Sequence, residues 1–157
     1  MAIQRGGELP NPKIFHNVGS QVPPGPNFRV FLDTVNIDSA REAMDRWEKV
    51  SDGRITFTEV KEKSEGVISI IDKAPSRGGG NVLGTALNSA SDHQIHMNPS
   101  ISDPSAVTQV MTHELGHIMG LGHSCENTLM YRIFGPKQSS LPNEVEVAAV
   151  LDLHRRP

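Results

Sequence analysis

From His113 to His123 the chain reads HELGHIMGLGH. His113 and His117 are four residues apart, so on a helix their imidazoles lie on one face, one turn apart. Two nitrogens placed in this way can bind one zinc ion at about 2.0–2.1 Å. Gly120 can adopt the left-handed conformation that ends a helix and turns the chain back, which brings His123 to the same ion. Three protein ligands leave a fourth position open, as in catalytic rather than structural zinc sites.

Glu114 follows the first histidine directly and is not aimed at the predicted ion. It lies where a general base for a zinc-bound water must be placed. The spacing therefore predicts His113, His117 and His123 as metal ligands and Glu114 as the catalytic base. The reaction that this arrangement indicates is hydrolysis by a zinc-bound water that the glutamate activates.

Met130 follows the third histidine by seven residues, within the stretch Asn-Thr-Leu-Met-Tyr at 127–131. A methionine near an apolar run usually belongs to the core. Its position after His123 instead favours a tight turn whose methionine lies under the zinc ligands. Residues 127–131 are called the Met-turn below.

The composition excludes several classes of function. The chain has 157 residues, which suits one domain with a substantial core. A net charge of −3 with mixed signs gives no basic patch, so no nucleic-acid partner is expected. No run approaches 18 apolar residues, so no membrane span is expected, and the first seven residues lack a signal-peptide core. The single cysteine, Cys125, excludes an internal disulfide, and a small half-buried residue is favoured there over a regulatory thiol.

The pattern along the chain predicts an irregular arm over residues 1–27, rich in proline and glycine, and one catalytic domain over residues 28–157. Strands are predicted at 28–33, 54–60, 66–71, 81–87 and 93–98, with a flexible loop at 76–80. A first helix, capped by Asp38, buries Trp47. A second, capped by Asp103, runs to about Met119 and carries the first two ligands. A third opens at residue 142 or 143, and its predicted buried positions include Val145, Ala148, Ala149 and Leu153. Such alternation predicts a mixed sheet with helices packed against it.

These residues carry a family resemblance. The stretch from His113 to Ser124 and the Leu-Met-Tyr of the Met-turn resemble metzincin zinc endopeptidases, and most of all the matrixins, the catalytic domains of matrix metalloproteinases. Residues 80–87 are similar to the strand on which matrixins bind substrate, and residues 141–153 to their closing helix. The similarity covers most of the chain from Phe28 onward. It implies an α+β fold in which a five-stranded twisted mixed sheet packs on two long helices above a cleft, with the Met-turn and a C-terminal helix below.

The resemblance also implies where a protein or peptide substrate binds. An extended peptide would pair antiparallel with residues 82–86, and side-chain pockets would set the preference. In matrixins a pocket beside the active-site helix has one wall after the Met-turn and a base residue four positions before the first histidine. Gln109 occupies that base position here, although it could equally be an ordinary polar residue of the helix. The implied substrate-binding residues are Val82, Leu83, Gly84, Ala86, Gln109, Arg132, Ile133 and Phe134.

The expected cofactor is one catalytic zinc ion. Among the positions that hold a second, structural zinc in vertebrate matrixins, His96 is matched, whereas Thr85 stands where another histidine is expected. Asn98 replaces an aspartate of the family, which leaves calcium as a weaker possibility. His93 and His96 are predicted to be exposed or packed on a strand. His16 and His154 are predicted to lie at the surface.

The function that follows is a zinc endopeptidase, monomeric and, by resemblance, secreted and acting in the extracellular matrix. Two other classes stay open at this point. One is a non-catalytic zinc-containing binding module, against which Glu114 argues because a dead site needs no base. The other is a zinc hydrolase of a non-peptide amide, against which the peptide-binding strand argues. The physiological substrate and the activation route do not follow from the sequence.

Overall fold

The structure is a computed structural model that describes residues 21–75 and 82–155. Most of the predicted N-terminal arm, His16 and the predicted loop at 76–80 lie outside the described residues. Residues 21–26 of the arm contain no helix or strand, and the first strand begins at Asn27.

All five predicted strands and all three predicted helices are present, with boundaries that differ from the prediction by up to three residues. The strands are β1 (Asn27–Asp33), β2 (Thr56–Val60), β3 (Ile68–Asp72), β4 (Gly84–Asn88) and β5 (His93–Met97). The helices are α1 (Ile37–Val50), α2 (Pro104–Ile118) and α3 (Glu144–Arg155). The α+β class and the mixed sheet are confirmed.

The strands form one sheet in the order β2-β1-β3-β5-β4. The pairs β2–β1, β1–β3 and β3–β5 are parallel, and β4 pairs antiparallel with β5 at one edge. Ile70 of β3 pairs with Ile95 of β5, and Ala86 of β4 pairs with the same Ile95 from the other side. Both isoleucines are fully buried, as is usual for the central strands of a sheet whose neighbours are parallel. Within residues 21–75 and 82–155, no strand pairs with the far edge of β4.

Helix α1 packs on the sheet and on α2 through the predicted apolar face, and Trp47 is fully buried, as predicted. The helix starts earlier than predicted, because Asn36 and not Asp38 occupies the N-cap. The cause is a contact with another strand. Asp72 of β3 accepts hydrogen bonds from the Thr34 hydroxyl (2.7 Å) and from the Val35 N–H (2.8 Å), and this fixes the turn that precedes the helix.

Helix α2 begins and ends as predicted. The Asp103 side chain accepts a hydrogen bond from the N–H of Ala106 at 3.0 Å, and Pro104 takes the first helical position. At the other end Gly120 has a φ of +115°, and the N–H of Leu121 bonds back to the carbonyl of Gly116 at 2.9 Å. This is the chain reversal that a glycine permits at a helix end. It returns the chain toward the helix it has just left.

Helix α3 packs on the core partly as predicted, because Val145 and Ala149 are half-buried against it. Glu146, Val147 and Val150 are buried, whereas Ala148 is exposed and Leu153 is half-buried. Glu146 is buried because its carboxylate points inward and accepts a hydrogen bond from the backbone N–H of Met130. His154 is also not a free surface residue. It is half-buried, its Nε2 lies 2.9 Å from the carbonyl of Met119, and its ring meets Phe28 edge-on.

The hydrophobic core fills the space between the sheet and helices α1 and α2. Its centre joins the two helices directly, because the Trp47 indole N–H donates to the Thr112 carbonyl at 2.9 Å. Thr112 immediately precedes the first predicted ligand, so the core holds the ligand-bearing helix in place. Among the described residues, no helix is both long and apolar enough to cross a membrane.

Candidate metal centre

The structure brings the three predicted ligands together. One ring nitrogen from each of His113, His117 and His123 lies within 4.8 Å of the others. Helix α2 carries the first two, and the reversal at Gly120 supplies the third. In residues 21–75 and 82–155, no second group of three or more His, Cys, Asp or Glu side chains meets in this way.

Hydrogen bonds orient two of the three rings. Nδ1 of His113 lies 2.8 Å from the Leu129 carbonyl, and Nδ1 of His117 lies 2.7 Å from the Leu121 carbonyl. A carbonyl oxygen accepts but cannot donate, so each Nδ1 carries the proton and each Nε2 keeps its lone pair. Backbone partners of this kind fix the tautomer and the orientation of metal-binding histidines. Both rings are thus arranged as ligands by the protein itself.

The local environment keeps these rings neutral. Burial lowers the pKa of His113 to about 4 and that of His117 to about 3, and for His117 the neighbouring His113 adds to the effect. Burial also lowers the pKa of His123, and the positive charge of Arg132 lowers it further. Neutral imidazole is the form that binds a metal, and three such nitrogens in one place suit zinc. The residues present therefore fit the metal that the motif predicts.

Glu114 is buried beside the ligands at one wall of the cleft. Burial raises the pKa of its carboxyl to about 8, so this group binds a proton readily near neutral pH. Gly84 of β4 lies directly opposite. A side chain at that position would place its Cβ 3.1 Å from Cγ of Glu114 and 2.9 Å from Cγ1 of Val110. The missing side chain is what allows the edge strand to approach the glutamate.

The Met-turn lies under the site. Met130 is fully buried, and a methyl group added to Gly116 of α2 would collide with its sulfur. The Met130 carbonyl accepts a hydrogen bond from the N–H of Ser124 at 2.9 Å, which ties the turn to the residue after the third ligand. Met130 therefore packs against the helix that carries the first two histidines.

Glu146 of α3 anchors the Met-turn, a contact that was not predicted from the sequence. One carboxylate oxygen accepts from the N–H of Met130 at 2.9 Å, and the other accepts from the N–H of Asn143 at 2.9 Å. Asn143 in turn accepts from the N–H of Glu146 at 2.8 Å, which completes a reciprocal helix cap. Burial raises the pKa of Glu146 to about 6, against the opposing effect of its backbone donors. The pattern Asn-x-x-Glu at 143–146 was the available signal for the cap, although not for the contact with the turn.

The ligands and Glu114 open into a cleft of about 700 Å³. Its walls include all but one of the predicted substrate-binding residues: Val82, Leu83, Gly84, Ala86, Arg132, Ile133 and Phe134. Residues 82 and 83 precede β4. Asn98, the residue after β5, fixes their position, because its backbone N–H donates to the Leu83 carbonyl and its side-chain amide donates to the Val82 carbonyl. The cleft thus lies between the edge strand and the segment after the Met-turn.

Gln109 is the exception, since it is not among the residues that line the cleft. Gln138 lines the cleft instead. Gln109 does not line the cleft but contacts Gln138, because its Nε2 donates to Oε1 of Gln138 at 2.7 Å. Nε2 of Gln138 donates to the carbonyls of Leu129 (3.1 Å) and Tyr131 (3.0 Å). Gln138 therefore joins α2 to both sides of the Met-turn methionine. Sequence alone offered no signal for Gln138, because 29 residues separate it from Gln109.

The other predicted or possible metal positions do not converge in the same way. His93 is buried, with Nδ1 2.7 Å from the side-chain oxygen of Asn88, and His96 contacts the side-chain oxygen of Gln94. The side-chain oxygen of Asn98 accepts from Ser100. Cys125 is half-buried, as predicted.

Comparisons with known proteins agree with this geometry. A family model described as Matrixin matches residues 32–154. High choriolytic enzyme 1 from the medaka Oryzias latipes, a hatching enzyme and zinc protease, superposes with a TM-score of 0.55 at 8% identity, covering 88% of this chain and 94% of its own. A zinc-dependent peptidase from Methanocorpusculum labreanum superposes with a TM-score of 0.52 at 13% identity, covering 78% and 99%. A search among curated proteins gives no significant match. Identities this low show a shared fold.

Proposed function

Because the chain belongs to the matrixin family of zinc metallopeptidases, we propose that it is an endopeptidase that cleaves proteins or peptides within an extended segment. The observation that carries the proposal is the meeting of three neutral histidines, a buried glutamate and an open strand edge at one cleft.

His113, His117 and His123 would hold one zinc ion through one nitrogen each. When bound, the ion supplies Lewis acidity, which acidifies a water molecule and polarises the carbonyl of the scissile bond. The backbone carbonyls of Leu129 and Leu121 hold the first two rings in the required tautomer. Their protonated Nδ1 atoms leave Nε2 free for the metal. Calcium is not required by this proposal.

Glu114 serves as the general base and then as the general acid. Its carboxylate takes a proton from the attacking water and passes it to the nitrogen of the leaving amine. Burial raises the pKa of the Glu114 carboxyl, which helps the group to hold the proton before it passes to the leaving amine. Met130 and Glu146 support the floor of the site and touch no reacting atom.

Strand β4 would receive the substrate. Its outer edge has no neighbouring strand among the described residues, and an extended peptide can add to it through main-chain hydrogen bonds. Ile133 and Phe134 face it across the cleft, and both are large apolar side chains left partly exposed, at 51% and 41%. We propose that they form the wall of a side-chain pocket whose base is Gln138, supported by Gln109. A secreted monomer acting in the extracellular matrix is the setting that we infer from family membership.

The first prediction tests the base. Glu114→Ala should retain zinc while losing cleavage of casein by about 10²–10⁴-fold, because the base is removed and the ligands remain. Zinc content by elemental analysis and hydrolysis of casein are the two measurements. Glu62→Ala, which changes an exposed glutamate away from the cleft, is the matched control. Cleavage by the Glu114 variant at the wild-type rate would contradict the assigned role.

The same assay separates the alternative functions. A zinc-loaded wild-type protein that cleaves neither casein, nor unstructured peptides, nor small non-peptide amides would be a binding module and not an enzyme. Faster hydrolysis of small non-peptide amides than of unstructured peptides would indicate a different hydrolase.

A further inference from the structure

Arg132 lies in the cleft close to a metal ligand. It follows Met130 by two residues, its side chain is exposed, and it lines the same cavity as His123 and Glu114. Arg132 and His123 therefore border the same open space. Gln138 contacts His113 instead. The two polar groups therefore border different ligands of the site.

The guanidinium of Arg132 has no protein partner within the described residues. Other arginines of the chain do have one. Arg41 pairs with Glu59 at 2.8 Å, and Arg54 pairs with Glu144 at 3.4 Å. The acidic residue of the loop just before the Met-turn, Glu126, pairs with Lys137. In the part of the chain that the structure describes, Arg132 thus keeps all its donors for a molecule that enters the cleft.

The charge balance of the cleft also favours an anion. Of the described residues that line it, Glu114 carries the one carboxylate, and that carboxylate is needed for proton transfer. A bound zinc ion adds two positive charges and Arg132 adds a third, so the cleft is positive even with Glu114 ionised. A guanidinium recognises a carboxylate through two parallel N–H···O bonds.

We propose that Arg132 binds a carboxylate of the substrate and makes the enzyme selective for peptides that present one near the scissile bond. This inference rests on the proposed peptidase function. The carboxylate can come from an aspartate or glutamate side chain or from the C-terminus of a short peptide. Both sources offer the same planar anion to the same group.

The test uses pairs of peptides that differ by Glu or Gln at one position, from three residues before the cleaved bond to three after it. A second set compares free with amidated C-termini. Wild-type protein should show kcat/KM about ten-fold or more higher for the carboxylate-bearing member at one position, since a charge-assisted hydrogen bond is stronger than a neutral one. The preference should weaken at high salt, because the arginine is exposed.

Arg132→Gln should reduce that ratio to about one, whatever its effect on the absolute rate of cleavage, and zinc content should stay unchanged. Arg132→Lys should keep part of the preference, since it keeps the charge but loses the planar pair of donors. The matched control is Arg155→Gln, which removes the same charge from an exposed arginine at the end of α3. Equal rates for all pairs in wild type, or a preference that survives in Arg132→Gln, would overturn the proposal.

Binding separates the failure of this proposal from the failure of the proposed function. Calorimetric titration of the zinc-loaded Glu114→Ala protein with the same peptide pairs measures recognition without cleavage. If wild type cleaves nothing, the peptidase proposal fails, yet tighter binding of the carboxylate member in Glu114→Ala, lost in the Glu114→Ala/Arg132→Gln double variant, would still support the role of Arg132. Equal binding of both members would refute it.

Discussion

At the scale of single residues, the most informative pair is Gln109 and Gln138. The resemblance implies Gln109 as the base of the pocket, because it lies four residues before His113. In the structure, Gln138 lines the cleft instead and accepts a hydrogen bond from Gln109. Gln138 also donates to the Leu129 carbonyl, to which His113 donates as well. One amide therefore affects both the base of the pocket and the orientation of a ligand.

We predict that Gln109→Leu and Gln138→Leu differ in their effect on zinc. Both substitutions make the base of the pocket less polar. Both should therefore increase cleavage of peptides that have a long apolar side chain just after the cleaved bond. Gln138→Leu should in addition weaken zinc affinity by about ten-fold, because it leaves the Tyr131 carbonyl unpaired and loosens the acceptor of His113. A peptide-library cleavage profile and a chelator competition measure the two effects.

Gln94→Leu, at a half-buried position of β5 that does not line the cleft, serves as the control for adding an apolar side chain. Identical cleavage profiles for wild type and both variants would mean that neither glutamine shapes the pocket. An equal loss of zinc affinity in the two variants would contradict the separate role assigned to Gln138.

At the scale of elements, α3 supports the active site although it supplies no ligand. Its first turn contains Glu146, a buried carboxylate that caps the helix and holds the N–H of Met130. Two glycines also allow elements to approach closely. Gly84 lets strand β4 approach Glu114, and Gly116 lets Met130 approach helix α2. Contacts between elements thus set the geometry of the cleft.

Glu146 gives a prediction about pH. Its pKa is raised from the ordinary value near 4.5 to about 6 in the folded protein, so between these values the folded state holds a proton that the unfolded state releases. This contribution to stability is complete below pH 4.5 and is lost as pH rises to about 6. The stability of wild type relative to Glu146→Gln should therefore fall by about 2 kcal/mol across this interval and stay constant above it.

Urea unfolding of the two zinc-loaded proteins between pH 4 and 8 provides the measurement. The histidines are the same in both proteins, so their titration cancels in the difference. Glu144→Gln, which changes an exposed neighbour on the same helix, is the matched control. A difference that is independent of pH would contradict the raised pKa of Glu146.

At the scale of the whole molecule, zinc would tie together segments that are otherwise joined by a turn. Helix α2 carries His113 and His117, and the segment beyond Gly120 carries His123 and leads into the Met-turn. A ligand that binds the folded state alone stabilises it by mass action, by about 4 kcal/mol at a concentration of 1,000 Kd.

We therefore predict one tightly bound zinc per chain and a fall in Tm of about 10 °C when a chelator removes it, since 1 kcal/mol corresponds to about 2–4 °C for a domain of this size. Elemental analysis and thermal unfolding are the measurements. His117→Ala should start from the lower Tm and not respond to the chelator, whereas His96→Ala should behave as wild type. Two zinc ions per chain would show that the region around His96 binds metal after all.

Much of the fold and the centre of the site followed from local pattern. Periods of two and of 3.6 residues are properties of the backbone, so apolar spacing located every strand and helix. The same helical period placed His113, Glu114 and His117 on neighbouring positions of one helix, and a glycine at position 120 specified where that helix ends. These features depend on residues a few positions apart, which is why the chain could be interpreted before its structure was known.

The tertiary structure decided what depends on distant residues. Asp72 fixes the start of α1 through Thr34, and 38 residues separate the two. Gln138 lines the cleft where Gln109 was predicted, and 29 residues separate the two glutamines. Glu146 reaches Met130 across 16 residues, which buries a charged side chain on α3 that its apolar pattern does not predict. Glu146 is buried, and Asp72 and Gln138 are half-buried. Each takes part in hydrogen bonds whose loss would cost more than local propensity supplies. Local periodicity carries no information about such partners, because they meet when the sheet, helices and Met-turn pack together.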